Sequence, residues 1–350
     1  MTAEQLRERA IELGLHAVGI APAIEEVRAV FPWARSVVCA AISYLPPEED
    51  GYSETVILST AKNPGPERQI LRDAQNDAGS VGRSDGARGL VARFARGADY
   101  HAVLRRKLSR IGDVICSEHP GARVEVCVDT TPLPERKLAV LAGIAWRGWN
   151  SNVFVEGCGS WVALGEIVTD LELPAAVPLD IDRCGDCDRC TRHCPTGAIT
   201  APYVVDSRRC LSRLTQSRGA IPREFRSQLG SRIYGCDTCQ EVCPQNGDLK
   251  SRTPEFAERL FPGACPELIG LIELSPAGFR ERVKGSSVGW IGRSRIRRNA
   301  AVAAGNLRCA EAIPALTEML ADADHVLREH AAWAIEQIEA SRGKLDNAEG

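Results

Sequence analysis

The chain has 350 residues, with 43 Lys and Arg against 46 Asp and Glu and a formal net charge of −3. That length suits roughly two or three domains with an ample core, and the faintly acidic balance excludes indiscriminate nucleic-acid binding. No apolar run approaches the ~20 residues of a membrane helix. The start, Met1-Thr-Ala-Glu-Gln-Leu6, has neither a basic nor an apolar signal region, so a cytoplasmic protein without a membrane partner is expected.

Residues 3–13 have helical apolar spacing and end at Gly14, a C-cap. Ala17–Ala21 and Ser36–Tyr44 read as strands. Residues 46–89, rich in Pro, Gly, Asp, Asn and Ser, read as a long mobile surface excursion that buries too little apolar area to offset its ordering entropy. Order is expected again from Leu90. Between 99 and 117, Val103, Leu104, Leu108, Ile111 and Ile115 fall on one helical stripe, and Ala122–Val128 alternates as a strand.

Asp129 stands where that strand passes into a loop, a common place for working residues. In an apolar pocket its carboxyl would have a raised pKa and serve as a general acid. Followed by Thr130-Thr131-Pro132 and a helix over 133–141, it also reads as an N-cap. The stretches 142–151 and 157–161 are dense in Gly and Trp. Their glycines allow a backbone to lie against a large ligand and their tryptophans supply apolar walls, or they form ordinary turns beside a core. Helices mixed with β runs as far as Leu173 predict an N-terminal α/β or α+β domain over 1–178.

The chemistry is plainest in the cysteines. Cys184-Gly-Asp-Cys187-Asp-Arg-Cys190-Thr-Arg-His-Cys194-Pro195 has the spacing of a bacterial-type [4Fe–4S] site, in which the fourth thiolate reaches the other cluster. A second, partial copy, Cys236-Asp-Thr-Cys239-Gln-Glu-Val-Cys243-Pro244, follows, with Cys210 upstream as the missing member. The crossed rule assigns Cys184, Cys187, Cys190 and Cys243 to one cluster and Cys194, Cys210, Cys236 and Cys239 to the other. Paired Cys-x2-Cys spacings also suit zinc, which leaves the cysteine-proline crossings unexplained. Cys39, Cys116, Cys127, Cys265 and Cys309 read as small core residues; Cys158, between two glycines, is the exception.

Two windows are strongly basic. Arg208, Arg209, Arg213, Arg218, Arg223, Arg226 and Arg232 face Glu224 alone, and Arg280, Arg282, Lys284, Arg293, Arg295, Arg297 and Arg298 face Glu281 alone. They read as a polyanion footprint or as a solvated surface. Further on, Arg297, Ala300, Ala301, Ala303 and Leu307 recur as Arg328, Ala331, Ala332, Ala334 and Ile338, a helical repeat of α-solenoid type, labelled HEAT-like. Residues 341–350 read as a disordered polar tail.

Taken together, Ala92-Arg-Phe-Ala-Arg-Gly-Ala-Asp-Tyr-His101, Asp129-Thr-Thr-Pro with Glu135-Arg136, Ala142-Gly-x-x-Trp-x-Gly148, Gly159-Ser-Trp-x-x-Leu-Gly-Glu166, the double cluster motif and the helical end resemble the epoxyqueuosine reductase family. The resemblance implies cobalamin beside two [4Fe–4S] clusters, removal of an epoxide oxygen from a modified guanine at the tRNA wobble position, and Asp129 as proton donor. It places cobalamin contacts at Arg93, Asp129, Trp146, Gly148, Asn150, Ser160 and Ser212. The expected fold class is α+β: an α/β cobalamin-binding domain (1–178), a ferredoxin-like cluster module (179–250) and a helical HEAT-like domain (251–340). Expected partners are a tRNA anticodon stem-loop and an external electron donor such as a flavodoxin or ferredoxin system, with the chain a monomer. Trp149 stands where the family usually has Lys, and Gln245 where it commonly has Trp. A cobalamin reductase of a small molecule and a ferredoxin-like electron carrier are the alternative readings.

Overall fold

In the computed structural model, the described residues are 3–47 and 86–346, apart from 180, 248, 250, 251 and 259. Helix α1 (Ala3–Glu12) ends before Gly14, whose φ of 73° is a turn that glycine makes without steric cost. Strand β1 (Ala17–Pro22), helix α2 (Glu25–Val30) and strand β2 (Ser36–Ser43) follow. Then come β3 (Leu90–Val91), α3 (Tyr100–Glu118), β4 (Val124–Cys127), α4 (Glu135–Leu141), β5 (Trp146–Arg147), β6 (Val153–Phe154) and β7 (Val162–Thr169).

Strands β1, β2, β7 and β4 form one sheet in that order, and each pairing is antiparallel. The expected α/β label for this part is therefore corrected to α+β, since α/β units require parallel strands joined by crossovers. Alternation along β2 sorts the core. Val38, Ala40 and Ile42 face α1 and α3, meeting Leu6, Ala10, Leu104, Leu108 and Ile111. Val37, Cys39 and Ala41 face α2 and α4, meeting Val27, Leu138 and Ala139. The helical stripe predicted over 99–117 is the buried face of α3.

Most of the proposed excursion, 48–85, lies outside the described residues. Its last residues, 86–89, are held: Gly89 N donates to Pro266 O, and Leu268 N to Ala87 O. Order thus returns before Leu90, because these backbone groups find partners in a segment far along the chain.

The cysteine-rich part contains α5 (Arg189–Arg192), the hairpin β8 (Ile199–Ala201) and β9 (Val204–Val205), α6 (Leu211–Gln216), α7 (Arg223–Leu229), β10 (Arg232–Tyr234) and α8 (Thr238–Glu241). Strand β10 pairs in parallel with β3, stitching this part to the segment that precedes α3. The remaining helices are α9 (Leu268–Ile272), α10 (Pro276–Arg282), α11 (Arg293–Asn306), α12 (Ile313–Met319) and α13 (His325–Asp346). Helices α11 and α13 approach so closely that a Cβ on Gly305 would stand 2.9 Å from Ala334 Cα. Val91, Leu214, Ile233, Leu268, Ala300 and Ala331 share one core, so the cysteine-rich part and the helices are packed together. Ala301 is buried but its repeat counterpart Ala332 is exposed. The expected tail from 341 is helical as far as Asp346; 347–350 lie outside the described residues.

Candidate active site beside the cysteine clusters

Asp129 is separated from the end of β4 by one residue, Val128, and adopts φ 53°, uncommon for a residue with a side chain. Its Oδ2 accepts a 2.6 Å hydrogen bond from Tyr100 Oη and lies 3.4 Å from His101 Nε2. On the other side of the ring, His101 Nδ1 is 2.6 Å from Asp99 Oδ1. Asp99 also caps α3 by accepting from His101 N, so the helix start itself places Tyr100 and His101 against the loop.

An imidazole between two carboxylates is held cationic. Burial opposes that charge, but the hydrogen bonds and charges of Asp129 and Asp99 raise His101 to about 9. The hydrogen bond with His101, opposed by burial and reinforced by Tyr100, lowers Asp129 below its usual range. The expectation of a raised carboxyl in an apolar pocket is corrected: the Asp129 side chain is 56% exposed and the proton resides on its neighbours. The N-cap alternative also fails, because Pro134 occupies that position in α4 and no side chain caps it.

The segment before α3 ties this site to the cysteines. Arg93 N donates to Asp237 Oδ2 at 2.7 Å, beside Cys236, and the Arg93 guanidinium lies over the Trp161 ring at 4.9 Å. Phe94 packs edge-on to Tyr100 and to Tyr234, with centroids 6.2 and 5.2 Å away.

The eight motif cysteines are free thiols of intermediate burial. The Cys243 thiol lies within electrostatic reach of Cys184, Cys190 and Cys187, that of Cys210 within reach of Cys236 and Cys194, and that of Cys239 within reach of Cys236 and Cys210 and also of Cys190 from the other set. Trp149 N points at Cys184 Sγ (3.5 Å), Ala198 N at Cys194 Sγ (3.2 Å), and the Ser212 amide at the Cys210 thiol. Among the described residues no three His, Cys, Asp or Glu side chains converge on a single-ion site. The spacing suits thiolates that each bind a different iron of a cubane better than four ligands gathered on one zinc.

Other expected contacts are already engaged within the protein. Trp146 is buried and stacked on Phe154, with centroids 4.6 Å apart. A Cβ on Gly148 would stand 2.4 Å from Phe154 Cε2, so this glycine serves packing. Asn150 Nδ2 donates to Cys239 O (3.2 Å), and Ser160 bonds Asn246 and Gln240, joining the Gly/Trp stretch to α8. Cys158 is fully buried, while Cys116 and Cys265 are exposed and do not join the core as expected.

The basic windows divide. Arg298 is buried and donates to the carbonyls of Leu214, Thr215, Ser217 and Gly219. Arg226 pairs with Glu329, Arg297 with Asp322 and Arg223 with Glu336. These arginines hold helices together, a structural use that counting charges along the sequence does not show. Arg218, Arg293 and Arg295 line an open cleft together with Arg298 and Asp324, and there Arg293 Nε donates to Leu274 O at 2.5 Å and Arg295 Nη1 to Gln216 O at 2.9 Å.

Four residues in the resemblance motifs were given no role by the sequence: Tyr100, His101, Glu135 and Glu166. Glu135 Oε1 accepts from Asp129 N at 2.7 Å. Glu166, in mid-β7, is fully buried. An ionisable residue at a strand position that must face a core was the available signal for Glu166.

Known proteins agree with this layout. Residues 183–246 match the model of a 4Fe-4S double cluster binding domain, and residues 25–130 match that of Epoxyqueuosine reductase QueG, DUF1730. An epoxyqueuosine reductase of Shewanella oneidensis is 42% identical over 269 residues, 74% of this chain and 68% of that protein. The chain belongs to the epoxyqueuosine reductase family. The Escherichia coli epoxyqueuosine reductase is also 42% identical, over 71% of this chain and 66% of that protein, so the match spans about two thirds of such relatives. A crystal structure of an epoxyqueuosine reductase with an epoxyqueuosine-modified tRNA-Tyr stem loop superposes with a TM-score of 0.81 at 32% identity, covering 96% of this chain and 89% of that one.

Proposed function

We propose that this reductase removes the epoxide oxygen of epoxyqueuosine at the tRNA wobble position, giving queuosine. Two electrons and two protons enter, both C–O bonds break, a C=C bond forms and the oxygen leaves as water. The observation that carries this reading is the Arg93–His101 segment. One end is bonded beside Cys236 and the other presents Tyr100 and His101 to Asp129. Electron entry and proton supply are thus built on one short piece of chain.

Cys184, Cys187, Cys190 and Cys243 would hold one [4Fe–4S] cluster, and Cys194, Cys210, Cys236 and Cys239 the other. An external donor such as a flavodoxin or ferredoxin would load them. Arg93 and Asp129 would hold the cobalamin, with Ser212, whose amide points at the Cys210 thiol, as a further contact. At Trp146, Asn150 and Ser160 the side chains are engaged within the protein and Gly148 has none, so backbone would make the contacts there. When bound, cobalamin would supply the low-valent cobalt that carries reducing equivalents to the substrate. His101 holds a proton against Asp129, and Asp129 would pass it to the developing alkoxide.

The RNA side rests on Arg218, Arg293 and Arg295, which would meet phosphates across their cleft, and on Trp290. This residue is 57% exposed and its ring lies 4.9 Å from that of His101, an aromatic face for a base drawn out of its stack. The helices behind this surface are read as a HEAT-like unit. The test is anaerobic absorption and EPR of protein reconstituted with iron, sulfide and cobalamin, followed by single turnover on an epoxyqueuosine stem-loop. Two clusters, bound cob(II)alamin and queuosine formation are expected. Clusters without cobalamin would reduce the protein to an electron carrier, and turnover with no salt-dependent stem-loop binding would favour a small-molecule substrate.

A further inference from the structure

Glu166 is at the centre of β7, paired with Cys39 of β2 on one side and Cys127 of β4 on the other. With Leu164 and Val168 it belongs to the face covered by α4, and it is completely buried. No N–H or O–H of the described residues donates to either of its oxygens. The group set against it is the Glu135 carboxyl at the start of α4. Two carboxylates are both acceptors, so this contact is a hydrogen bond only if one of them carries a proton.

The surroundings decide which. Arg136 is the cation near Glu135, and Asp129 N donates to Glu135 Oε1 at 2.7 Å, so a charge on Glu135 is supported. Glu166 meets only burial and the negative charges of Glu135 and Asp129. The thiols facing it, Cys39 and Cys127, are themselves pushed up by burial and stay neutral. His101 and Tyr100 are directed at Asp129. Burial with the nearby Asp129 charge brings Glu135 to about 7, and Glu166 is driven well above the carboxyl range.

We propose that Glu166 is a neutral carboxylic acid that donates to the Glu135 carboxylate, and that this pair positions the Asp129 turn through the Asp129 N–H. Asp129 stands at φ 53°, so its backbone needs an outside hold. A charged acceptor supplies a shorter, stronger bond than a neutral one. Glu135 and Glu166 are thus positioning residues, and of the three only Asp129 meets the substrate.

Infrared difference spectroscopy of the full chain at pH 8 tests this without cofactor or substrate, so its outcome is independent of the proposed reaction. Wild type should show one protonated-carboxyl C=O band that vanishes in Glu166→Gln. If that variant does not fold, Glu135→Gln should keep the band, shifted to higher frequency by loss of the anionic acceptor. In amide exchange, Glu166→Gln, which retains a donor, should protect the 129–131 amides as wild type does. Glu166→Leu should lose about tenfold of that protection. Absence of the wild-type band, or a band insensitive to both Gln variants, overturns the proposal; so does equal protection in Glu166→Leu and Glu166→Gln.

Discussion

At Asp129 the backbone and the side chain are held by different partners. Glu135 takes the N–H, while Tyr100 and His101 take the carboxylate. Replacement by Asn keeps the shape and the Tyr100 contact but removes the acid. Asp129→Asn is therefore expected to lower single-turnover rate by about 10²–10⁴-fold, with the cob(II)alamin spectrum and stem-loop affinity unchanged. A rate within twofold of wild type would remove Asp129 from proton transfer. The motif Asp129-Thr-Thr-Pro was legible in sequence, but its ionisation was not. The groups that set it most strongly, His101 and Tyr100, lie nearly thirty residues earlier and reach it only through the packing of α3.

Among the elements, β1 and α4 meet at Gly19. A Cβ there would lie 2.0 Å from the backbone oxygen of Ala142, an atom that cannot swing aside. Gly19→Ala should cost about 1–3 kcal/mol in denaturant unfolding, while an alanine at Gly121, which has open space around it but φ 93°, should suffer only from strain. Helix α11 offers a second case. Arg298→Met keeps an apolar stem but leaves several buried carbonyls of the 214–219 turn without a donor, so a loss of at least about 3 kcal/mol is expected from thermal or denaturant melts. A near-neutral result would show that the turn rearranges. Helix positions were readable because an apolar stripe repeats with the helix itself, as on α3. The roles of Arg226, Arg297 and Arg298 were not, because whether an arginine meets phosphate or a buried carbonyl depends on a neighbour distant in sequence.

For the molecule as a whole, two histidines predict opposite pH limbs of stability. His330 is buried, accepts from Ile221 N at 3.1 Å and is lowered by burial to about 4. A lowered base contributes fully above its unfolded value of 6.5 and loses that contribution as pH falls through about 4. His101, raised to about 9, contributes fully below 6.5 and loses that contribution as pH rises through about 9. Urea midpoints should fall on both sides, with His101→Gln flattening the alkaline limb and His330→Gln the acid one; an alkaline limb unchanged in His101→Gln would contradict the Asp99–His101–Asp129 arrangement. The sequence by itself determined the double-cluster module, the buried helix stripe and the family, because ligand spacing and periodicity are properties of neighbouring residues. Only the tertiary structure decided the antiparallel sheet, the ion pair at Asp129, the buried Glu166 and the division of the arginines. Burial and charge pairing arise from groups that the chain brings together across long separations.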